Sequence, residues 1–193
     1  MRDECFIRGE IPMTKSEIRA VSLDKLELRP DHIIWDVGAG TGSVSVEMAL
    51  RVPRGHVFAV EQKEEGCRLI RDNCEKFVVE NVTVCEGRAP EILMELPVPD
   101  RVFIGGSGGR LREILDFLRQ RNPLARIVVN LITLESLAQL QTYLRERRLA
   151  AEIVCVQVSR ARKMGEYHLM RGENPVWIVT IIPSRADESE EDR

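Results

Sequence analysis

The chain has 193 residues, of which 44% are hydrophobic and 31% are charged. This balance is typical of a soluble globular protein, and the length suffices for one domain with a substantial core. The formal net charge is −3, and Arg185–Arg193 alone contains two basic and five acidic residues. The rest of the chain is formally neutral, which excludes the strongly basic composition typical of proteins that bind nucleic acids.

The cysteines and the apolar segments exclude further classes. The five cysteines are scattered without a C-x-x-C pair and the three histidines lie far apart, so we expect neither a disulfide framework nor a metal site. No apolar run reaches the roughly 18 residues of a membrane span. The first ten residues, MRDECFIRGE, do not resemble a secretion signal. We therefore expect a cytoplasmic protein whose partner is neither a membrane nor a nucleic acid.

From Ile33 onward, the apolar pattern predicts strands that alternate with helices. The predicted strands are Ile33–Val37, His56–Val60, Val82–Cys85, Val102–Ile104 and Ile127–Ile132. Apolar residues at spacings of three and four predict helices over Val44–Arg51, Cys67–Phe77, Leu111–Leu118 and Leu134–Leu144. Repeated strand–helix units predict a parallel sheet with helices on both faces. We expect Cys67, Cys74 and Trp35 to be core residues.

The two ends of the chain depart from this alternation. The last two predicted strands, Ile153–Val158 and Val176–Ile182, have no helical pattern between them, so we predict an antiparallel pair joined by the polar, basic segment Ser159–Asn174. Ahead of the sheet, Thr14–Leu28 is predicted as a helix that opens with the capping box Thr14-Lys15-Ser16-Glu17. We predict one domain over residues 1–183, with residues 1–30 as an N-terminal extension and helix, and a disordered acidic tail over residues 184–193.

A glycine-rich loop, Asp36-Val-Gly-Ala-Gly-Thr-Gly42, lies between the first predicted strand and its helix. Glycines allow a tight turn and close approach of the backbone to a ligand, and the amides at the helix start favour an anion. A dinucleotide fingerprint requires glycine at position 43, which is serine here, and the Gly-Lys-Ser/Thr of a P-loop is absent. The alternative for this loop is a strand–helix turn that holds no ligand.

The pattern D-x-G-x-G-x-G is similar to motif I of the Rossmann-like methyltransferases, which use S-adenosylmethionine. Glu61 supports this resemblance because it ends the second predicted strand, 19 residues after Gly42, where a carboxylate can accept hydrogen bonds from both ribose hydroxyls. The resemblance implies an α/β fold of class I methyltransferase type. Such a fold has a mostly parallel seven-stranded sheet with a terminal antiparallel pair and helices on both faces.

A second glycine loop, Phe103-Ile-Gly-Gly-Ser-Gly-Gly109, follows the fourth predicted strand. Methyltransferases that act on amino groups commonly have Asn/Asp-Pro-Pro-Tyr/Phe at this place. The loop here removes side-chain bulk and presents backbone amides at the carboxyl end of a strand, where open α/β sheets bind substrates. It therefore suits a large substrate with carboxylate arms, and a tight turn without a ligand is again the alternative.

Together, the two loops resemble those of the decarboxylating precorrin methyltransferases of cobalamin biosynthesis, in particular the domain that methylates C15 of the macrocycle. Further matching stretches are Phe6–Arg8, Met13–Lys15, Ser43–Glu47, Asn81–Thr83, Gly87–Glu91, Asn130–Glu135, Ser159–Ala161 and Asn174–Val176. The resemblance extends over nearly the whole chain up to Ile182. One departure is Arg88, where many relatives have an acidic or small residue.

The resemblance implies methylation of C15 and loss of carbon dioxide from the C12 acetate of precorrin-6B, or of its cobalt form, to give precorrin-7. It implies S-adenosylmethionine as the cofactor and a homo-oligomer such as a tetramer. The implied cofactor contacts are Thr14, Gly38, Ala39, Gly40, Thr41, Gly42, Glu61 and Ala89. No catalytic side chain is assigned, because a sulfonium methyl is already activated and alignment does most of the work.

Basic residues are expected to hold the substrate carboxylates beside the second loop. The expected substrate contacts are Gly105, Gly106, Ser107, Gly108, Gly109, Arg110 and Arg160, with Arg112, Arg162, Lys163 and Arg171 as further basic candidates. Two alternatives stay open: a methyltransferase that acts on another substrate such as tRNA adenine, and a non-catalytic subunit that retains the cofactor pocket.

Overall fold

A computed structural model describes residues 1–183, and the acidic segment 184–193, for which the sequence predicts disorder, lies outside the described residues. The strands are β1 (Ile33–Val37), β2 (His56–Glu61), β3 (Val82–Glu86), β4 (Arg101–Ile104), β5 (Arg126–Leu131), β6 (Ala151–Val156), β7 (Ser159–Met164), β8 (Tyr167–Gly172) and β9 (Val176–Ile181). The α-helices are α1 (Ser16–Lys25), α2 (Ser43–Arg51), α3 (Glu64–Lys76), α4 (Leu111–Arg121) and α5 (Leu134–Glu146).

Seven of the strands form one sheet, in the order β3-β2-β1-β4-β5-β9-β6. Strand β9 runs antiparallel to both β5 and β6, whereas the other neighbours are parallel. The predicted parallel sheet with a terminal antiparallel pair is therefore confirmed. From β1 the chain continues to β2 and β3 on one side of β1, and β4 then pairs with the other side of β1. The carboxyl ends of β1 and β4 therefore form the switch point at which such sheets bind ligands.

Two apolar layers cover the sheet because successive residues of a strand lie on opposite faces. On one face, Trp35 and Val37 pack with residues of α4 and α5. On the other face, Ile34 and Val128 pack with residues of α1 and α2. Trp35 is a core residue, as predicted, and its indole N–H donates to the carbonyl of Pro97 at 3.0 Å. Cys67 is buried, whereas Cys74 is only half-buried.

The predicted helix over Thr14–Leu28 is shorter in the structure, and its capping box is wrong. Helix α1 begins at Ser16, and neither Thr14 nor Lys15 caps it with a side chain. The carbonyl of Thr14 instead accepts a hydrogen bond of 2.5 Å from the buried guanidinium of Arg19. This bond holds Thr14 outside the helix, in the segment that lines the ligand cleft described below.

The segment Ser159–Asn174 contains a β-hairpin that the sequence did not predict. Strands β7 and β8 pair with each other, and every residue of both is exposed. With no buried face, the hairpin lacks the apolar alternation from which strands are recognised. Strand β6 is also displaced, since it begins at Ala151 and ends at Val156. No helix within the described residues is long and apolar enough to cross a membrane.

Candidate active site at the two glycine loops

The two glycine loops pack directly against each other. Val37 pairs with Ile104 at the ends of β1 and β4, so the loops that follow these strands start side by side. Gly38 has a φ of +72°, and a Cβ at this position would lie 2.4 Å from the carbonyl oxygen of Gly106. Glycine is therefore required at position 38 both by the backbone conformation and by the neighbouring loop.

The first loop is also packed from behind by helix α3. Gly42 has a φ of +75°, and a Cβ there would lie 3.0 Å from the Cα of Ile70. Helix α2 begins directly after Gly42, which as the N-cap residue has no side chain to cap the helix. Amides of the first turn can therefore face an anionic group, as the sequence pattern predicts.

Glu61 connects the end of β2 to the first loop. One carboxylate oxygen, Oε2, accepts the N–H of Gly40 at 2.9 Å, and Oε1 accepts the N–H groups of Gln62 and Lys63 at 2.9 Å each. Glu61 is only 8% exposed. A carboxylate has about four acceptor positions, so this arrangement leaves one of them for a ligand rather than two.

Asp36 is buried beneath the first loop and is only partly hydrogen-bonded. Ser45 donates to its Oδ2 at 2.5 Å, whereas Oδ1 has no partner within residues 1–183. Burial raises the pKa of Asp36 to about 7, an effect that the Ser45 bond opposes and the nearby Glu61 carboxylate increases. The carboxyl therefore titrates near neutral pH in the folded protein.

Two clefts open on either side of the loops and meet between them. The outer cleft has a volume of about 230 Å³, and the inner cleft has a volume of about 320 Å³. The residues that line both clefts are Pro12, Gly38, Gly40 and Gly105. The three glycines follow β1 and β4, so the two clefts adjoin each other at the sheet's switch point.

The predicted cofactor residues are divided between the two clefts. Glu61 and Ala89 line the outer cleft, Thr14, Ala39 and Thr41 line the inner cleft, and Gly38 and Gly40 line both. Gly42 instead packs against Ile70. Arg88, the residue that departs from the family pattern, also lines the outer cleft. The structure thus places seven of the eight predicted residues on the walls of two adjoining clefts.

The second loop forms the far wall of the outer cleft, through the residues Gly105, Gly106, Ser107 and Gly108. Gly109 follows them with a φ of +82°, and a Cβ at this position would have no neighbour within 4 Å. Arg110 is held by its neighbours: its Nη1 donates to Glu91 at 2.6 Å and to the carbonyl of Ala89 at 3.2 Å, and its Nε donates to Glu113 at 2.9 Å. Arg110 therefore ties the second loop to the outer-cleft segment at Ala89.

The predicted basic residues of the Ser159–Asn174 segment are only partly brought together. Residues directly opposite each other in a hairpin share a face, so the pairing of Arg160 with Arg171 places both on the face that also carries Arg162. Lys163 lies on the opposite face. Arg160 donates to Glu17 of α1 at 2.5 Å and to Glu173 at 2.8 Å.

Arg112 lies apart from the other basic candidates. Its guanidinium pairs with Glu146 of α5 at 2.7 Å, and hydrogen bonding to that carboxylate raises the pKa of Arg112. The ion pair connects α4 to α5 on the face of the sheet that carries these helices.

The inner wall of the site was missed by the sequence analysis. Asn130, Glu173 and Asn174 line the inner cleft together with Lys15. Asn130 carried a signal that was available in the sequence, because it is a polar residue within the branched apolar run Ile127–Leu131. Glu173 had no such signal, since its position depends on the hairpin.

The sheet order and the paired loops define the fold of the Rossmann-like methyltransferases. A solved SAM-dependent O-methyltransferase from Thermotoga maritima has the same fold, with a TM-score of 0.74 at 18% identity. A tRNA (m1A58) methyltransferase from Aquifex aeolicus also has this fold, with a TM-score of 0.66 at 16% identity.

Within this class, the chain belongs to the precorrin methyltransferase domain family, whose family model matches residues 4–182. It is 45% identical over 181 residues to a probable cobalt-precorrin-6B C(15)-methyltransferase (decarboxylating) from Pyrobaculum calidifontis, covering 92% of this chain and 93% of the relative. It is 40% identical over 184 residues to the cobalt-precorrin-6B C(15)-methyltransferase (decarboxylating) of Salmonella typhimurium, covering 93% and 94%. The family expected from the sequence is confirmed.

Solved structures agree with this family. A precorrin-6y C5,15-methyltransferase chain from Geobacter metallireducens matches with a TM-score of 0.88 at 43% identity, covering 94% of this chain and 97% of that chain. A precorrin 8w decarboxylase from Methanobacterium thermoautotrophicum matches with a TM-score of 0.87 at 32% identity, covering 94% and 98%.

Proposed function

We propose that the protein transfers a methyl group from S-adenosylmethionine to C15 of precorrin-6B or its cobalt form and removes the C12 acetate carboxyl as carbon dioxide. The observation that carries the proposal is the contact between Gly38 and Gly106, which joins the two family-specific loops at the mouth of one cleft. Curated relatives that align with more than nine-tenths of this chain are named for this reaction on the cobalt form.

The residues of the outer cleft fit the nucleoside part of S-adenosylmethionine. The remaining acceptor position of Glu61 suits a ribose hydroxyl, and Ala89 lines the same cleft. Thr14 and Thr41 in the inner cleft suit the methionine part, since the hydroxyl oxygen of Thr41 is buried and has no partner within residues 1–183. When bound, this cofactor supplies an electrophilic methyl group on its sulfonium sulfur.

The protein contributes alignment and removal of water. The second glycine loop carries few side chains at the cleft, so a broad macrocycle can approach its backbone amides closely. The inner cleft is lined by apolar residues from several segments, including Ile18, Ile132, Val158 and Val176. A carboxylate held against such walls is less well solvated than in water, which favours loss of carbon dioxide as charge spreads into the conjugated ring.

The assembly of the protein is a second proposal, supported by the hairpin of β7 and β8. By the hairpin register, Met164, Tyr167 and Leu169 share one face, and their exposed fractions are 57%, 76% and 54%. They form the apolar end of the face that also carries Arg160, Arg162 and Arg171. We infer that this apolar end packs against further copies of the chain, because isolated proteins rarely leave such a patch uncovered. Light scattering after size-exclusion chromatography tests this proposal, and the mass of a single chain would contradict it.

We also propose that the protein is cytoplasmic and that residues 1–183 form one domain. The biosynthetic names of the relatives support the location. The central sheet supports the domain assignment, because it uses strands from Ile33 to Ile181. Limited proteolysis that leaves one resistant fragment would agree with a single domain, whereas two stable fragments would not.

The decisive experiment is to incubate the purified protein with S-adenosylmethionine and precorrin-6B, with and without cobalt, and to weigh the tetrapyrrole by mass spectrometry. The expected product has gained one methylene and lost one carbon dioxide, and the preferred form identifies the pathway. An unchanged tetrapyrrole in a sample that binds the cofactor would contradict the proposal. Methylated tRNA in a parallel reaction would favour the nucleic-acid alternative, and binding without any turnover would favour a non-catalytic subunit.

A further inference from the structure

Asn130 is a polar residue on an otherwise apolar face of the sheet. It is the fifth residue of β5, two positions after Val128, and the two residues therefore share the face that packs beneath α1. An amide buried at such a position destabilises the fold unless both of its ends are hydrogen-bonded. The position therefore calls for a partner at each end of the side chain.

Only one end of the Asn130 amide has such a partner in the described part of the chain. Its Oδ1 lies 3.1 Å from the hydroxyl of Ser22, a fully buried residue of α1. Its Nδ2 is buried and has no partner among residues 1–183. The Ser22 hydroxyl also lies 2.8 Å from the carbonyl of Ile18, and its one hydrogen can be donated to either oxygen. Donation to Asn130 fixes the amide with Nδ2 pointing away from α1.

Asn130 also lines the inner cleft, together with Gly38, Thr41 and Gly105. Within residues 1–183, four buried side-chain atoms have no hydrogen-bond partner: Asp36 Oδ1, Thr41 Oγ1, Asn130 Nδ2 and Thr180 Oγ1. Thr41 is accounted for by the cofactor, and Asp36 lies beneath the loop. Thr180 pairs with Val128 and Glu152 inside the sheet, away from both clefts.

We propose that Asn130 contacts the substrate: its Nδ2 donates a hydrogen bond to a carboxylate oxygen of the tetrapyrrole, and Ser22 is the positioning residue that holds the amide in this orientation. The inference rests on the proposed function and names a contact for the same site. A neutral amide orients a carboxylate but, unlike an arginine, does not neutralise it. The carboxylate held here therefore remains poorly stabilised, which suits a group that leaves as carbon dioxide.

The test uses the full chain with the substitutions Asn130→Ala, Asn130→Asp and Ser22→Ala. Thr180→Val is the matched control, because it also removes a buried, unpartnered polar atom of the sheet but lies outside the clefts. The affinity for S-adenosylhomocysteine is measured by calorimetry, and kcat and KM for precorrin-6B are measured by mass spectrometry. A thermal melt of each variant checks that it is folded.

We expect Asn130→Ala to raise KM for the tetrapyrrole by roughly 10- to 100-fold, with the affinity for S-adenosylhomocysteine within about twofold of wild type. In Asn130→Asp the new side chain has nearly the same shape as asparagine, but its carboxylate repels the carboxylate of the substrate. This variant should therefore bind the substrate more weakly still. Ser22→Ala should give an intermediate KM, since the amide is present but free to rotate. Thr180→Val should match wild type in both measurements.

Wild-type KM in both Asn130 variants would overturn the inference. An equal loss of S-adenosylhomocysteine affinity would also overturn it, by assigning the amide to the cofactor. If the wild-type protein binds S-adenosylhomocysteine but leaves precorrin-6B unchanged, the proposed function fails first and the inference fails with it.

Discussion

The two glycine loops contain similar residues but are constrained in different ways. In the first loop, Cβ atoms at Gly38 and Gly42 would lie 2.4 and 3.0 Å from backbone atoms of neighbouring segments. In the second loop, a Cβ at Gly106 would have its nearest neighbour at 3.9 Å, and one at Gly109 would have none within 4 Å. Glycine is therefore required by the fold itself at positions 38 and 42, whereas position 106 of the second loop has room for a side chain that the sequence omits.

This difference separates the structural from the functional reasons for glycine. Substitutions in the first loop should damage folding and ligand binding together, because the same atoms serve both. Substitutions at open positions of the second loop should leave the fold intact, so any loss of activity there reports the approach of a ligand. The following predictions test that division from the largest expected effect to the smallest.

Gly38→Ala should produce the largest loss. The added methyl collides with the carbonyl of Gly106, and the φ of +72° is unfavourable for alanine. We expect the free energy of unfolding to fall by roughly 3–5 kcal/mol, with loss of S-adenosylhomocysteine binding. Chemical denaturation and calorimetry measure the two effects. Gly165→Ala is the control, because it has a φ of +61° but no neighbour within 4 Å, and an equal loss in this variant would show that strain alone is responsible.

The titration of Asp36 beneath the first loop should change stability with pH. Since burial raises its pKa to about 7 in the folded state from the ordinary 3.8, the folded state binds more protons between these values. Stability from this group is therefore lost as pH rises from about 4 to about 7. Asp36→Asn should remove the loss, which is roughly 4 kcal/mol in total above pH 7, with roughly 3 kcal/mol of it between pH 5 and pH 8. Unfolding curves at pH 5 and pH 8 check this, and an unchanged difference between the two proteins would contradict it.

Glu61→Gln should weaken both the loop and the cofactor site. The amide nitrogen of glutamine cannot accept the hydrogen bonds that backbone N–H groups now donate to the Glu61 carboxylate. Losing them should lower the free energy of unfolding by about 1–3 kcal/mol. We expect the affinity for S-adenosylhomocysteine to fall roughly 10-fold to 100-fold. Glu86→Gln is the matched control, since Glu86 lies beside Glu61 in the register of β2 and β3 but is exposed. Equal losses of stability and affinity in the two variants would contradict a specific role of Glu61 in the loop and the cofactor site.

Gly106→Ala should change stability least, by less than about 0.5 kcal/mol, because a methyl fits at this position. It would nevertheless project at the outer cleft, so kcat/KM for precorrin-6B should fall by roughly 10-fold or more. A thermal melt and a steady-state assay on the same preparation distinguish the two effects. Unchanged activity would show that the second loop is open for reasons unrelated to the substrate.

The sequence predicted local features well wherever a residue's own neighbours in the chain determine its conformation. The branched apolar run at Ile33–Val37 became β1, and the glycine spacing at 38–42 became a tight loop with positive φ angles. The hairpin was missed for the same physical reason, because an exposed pair of strands has no buried face to produce an alternating pattern.

Side-chain pairing was predicted less well than element type. Arg110 and Arg160 remain predicted substrate contacts, and each is engaged with two carboxylates that the sequence analysis did not predict as partners. One partner of Arg160, Glu17, is 143 residues away in the chain. Such pairs depend on distances between segments, which neither residue type nor spacing encodes.

By itself, the sequence determined the α/β class, the order of elements, the two glycine loops and the family to which the chain belongs. These follow from short-range patterns, since apolar periodicity and glycine spacing act over a few residues. Only the tertiary structure decided that Gly38 touches Gly106, that Arg110 is tied to Ala89, and that Asn130 lines the inner cleft with an amide nitrogen that has no partner within residues 1–183. These contacts arise where the parallel sheet reverses its strand order, because that reversal brings distant loops together at one edge.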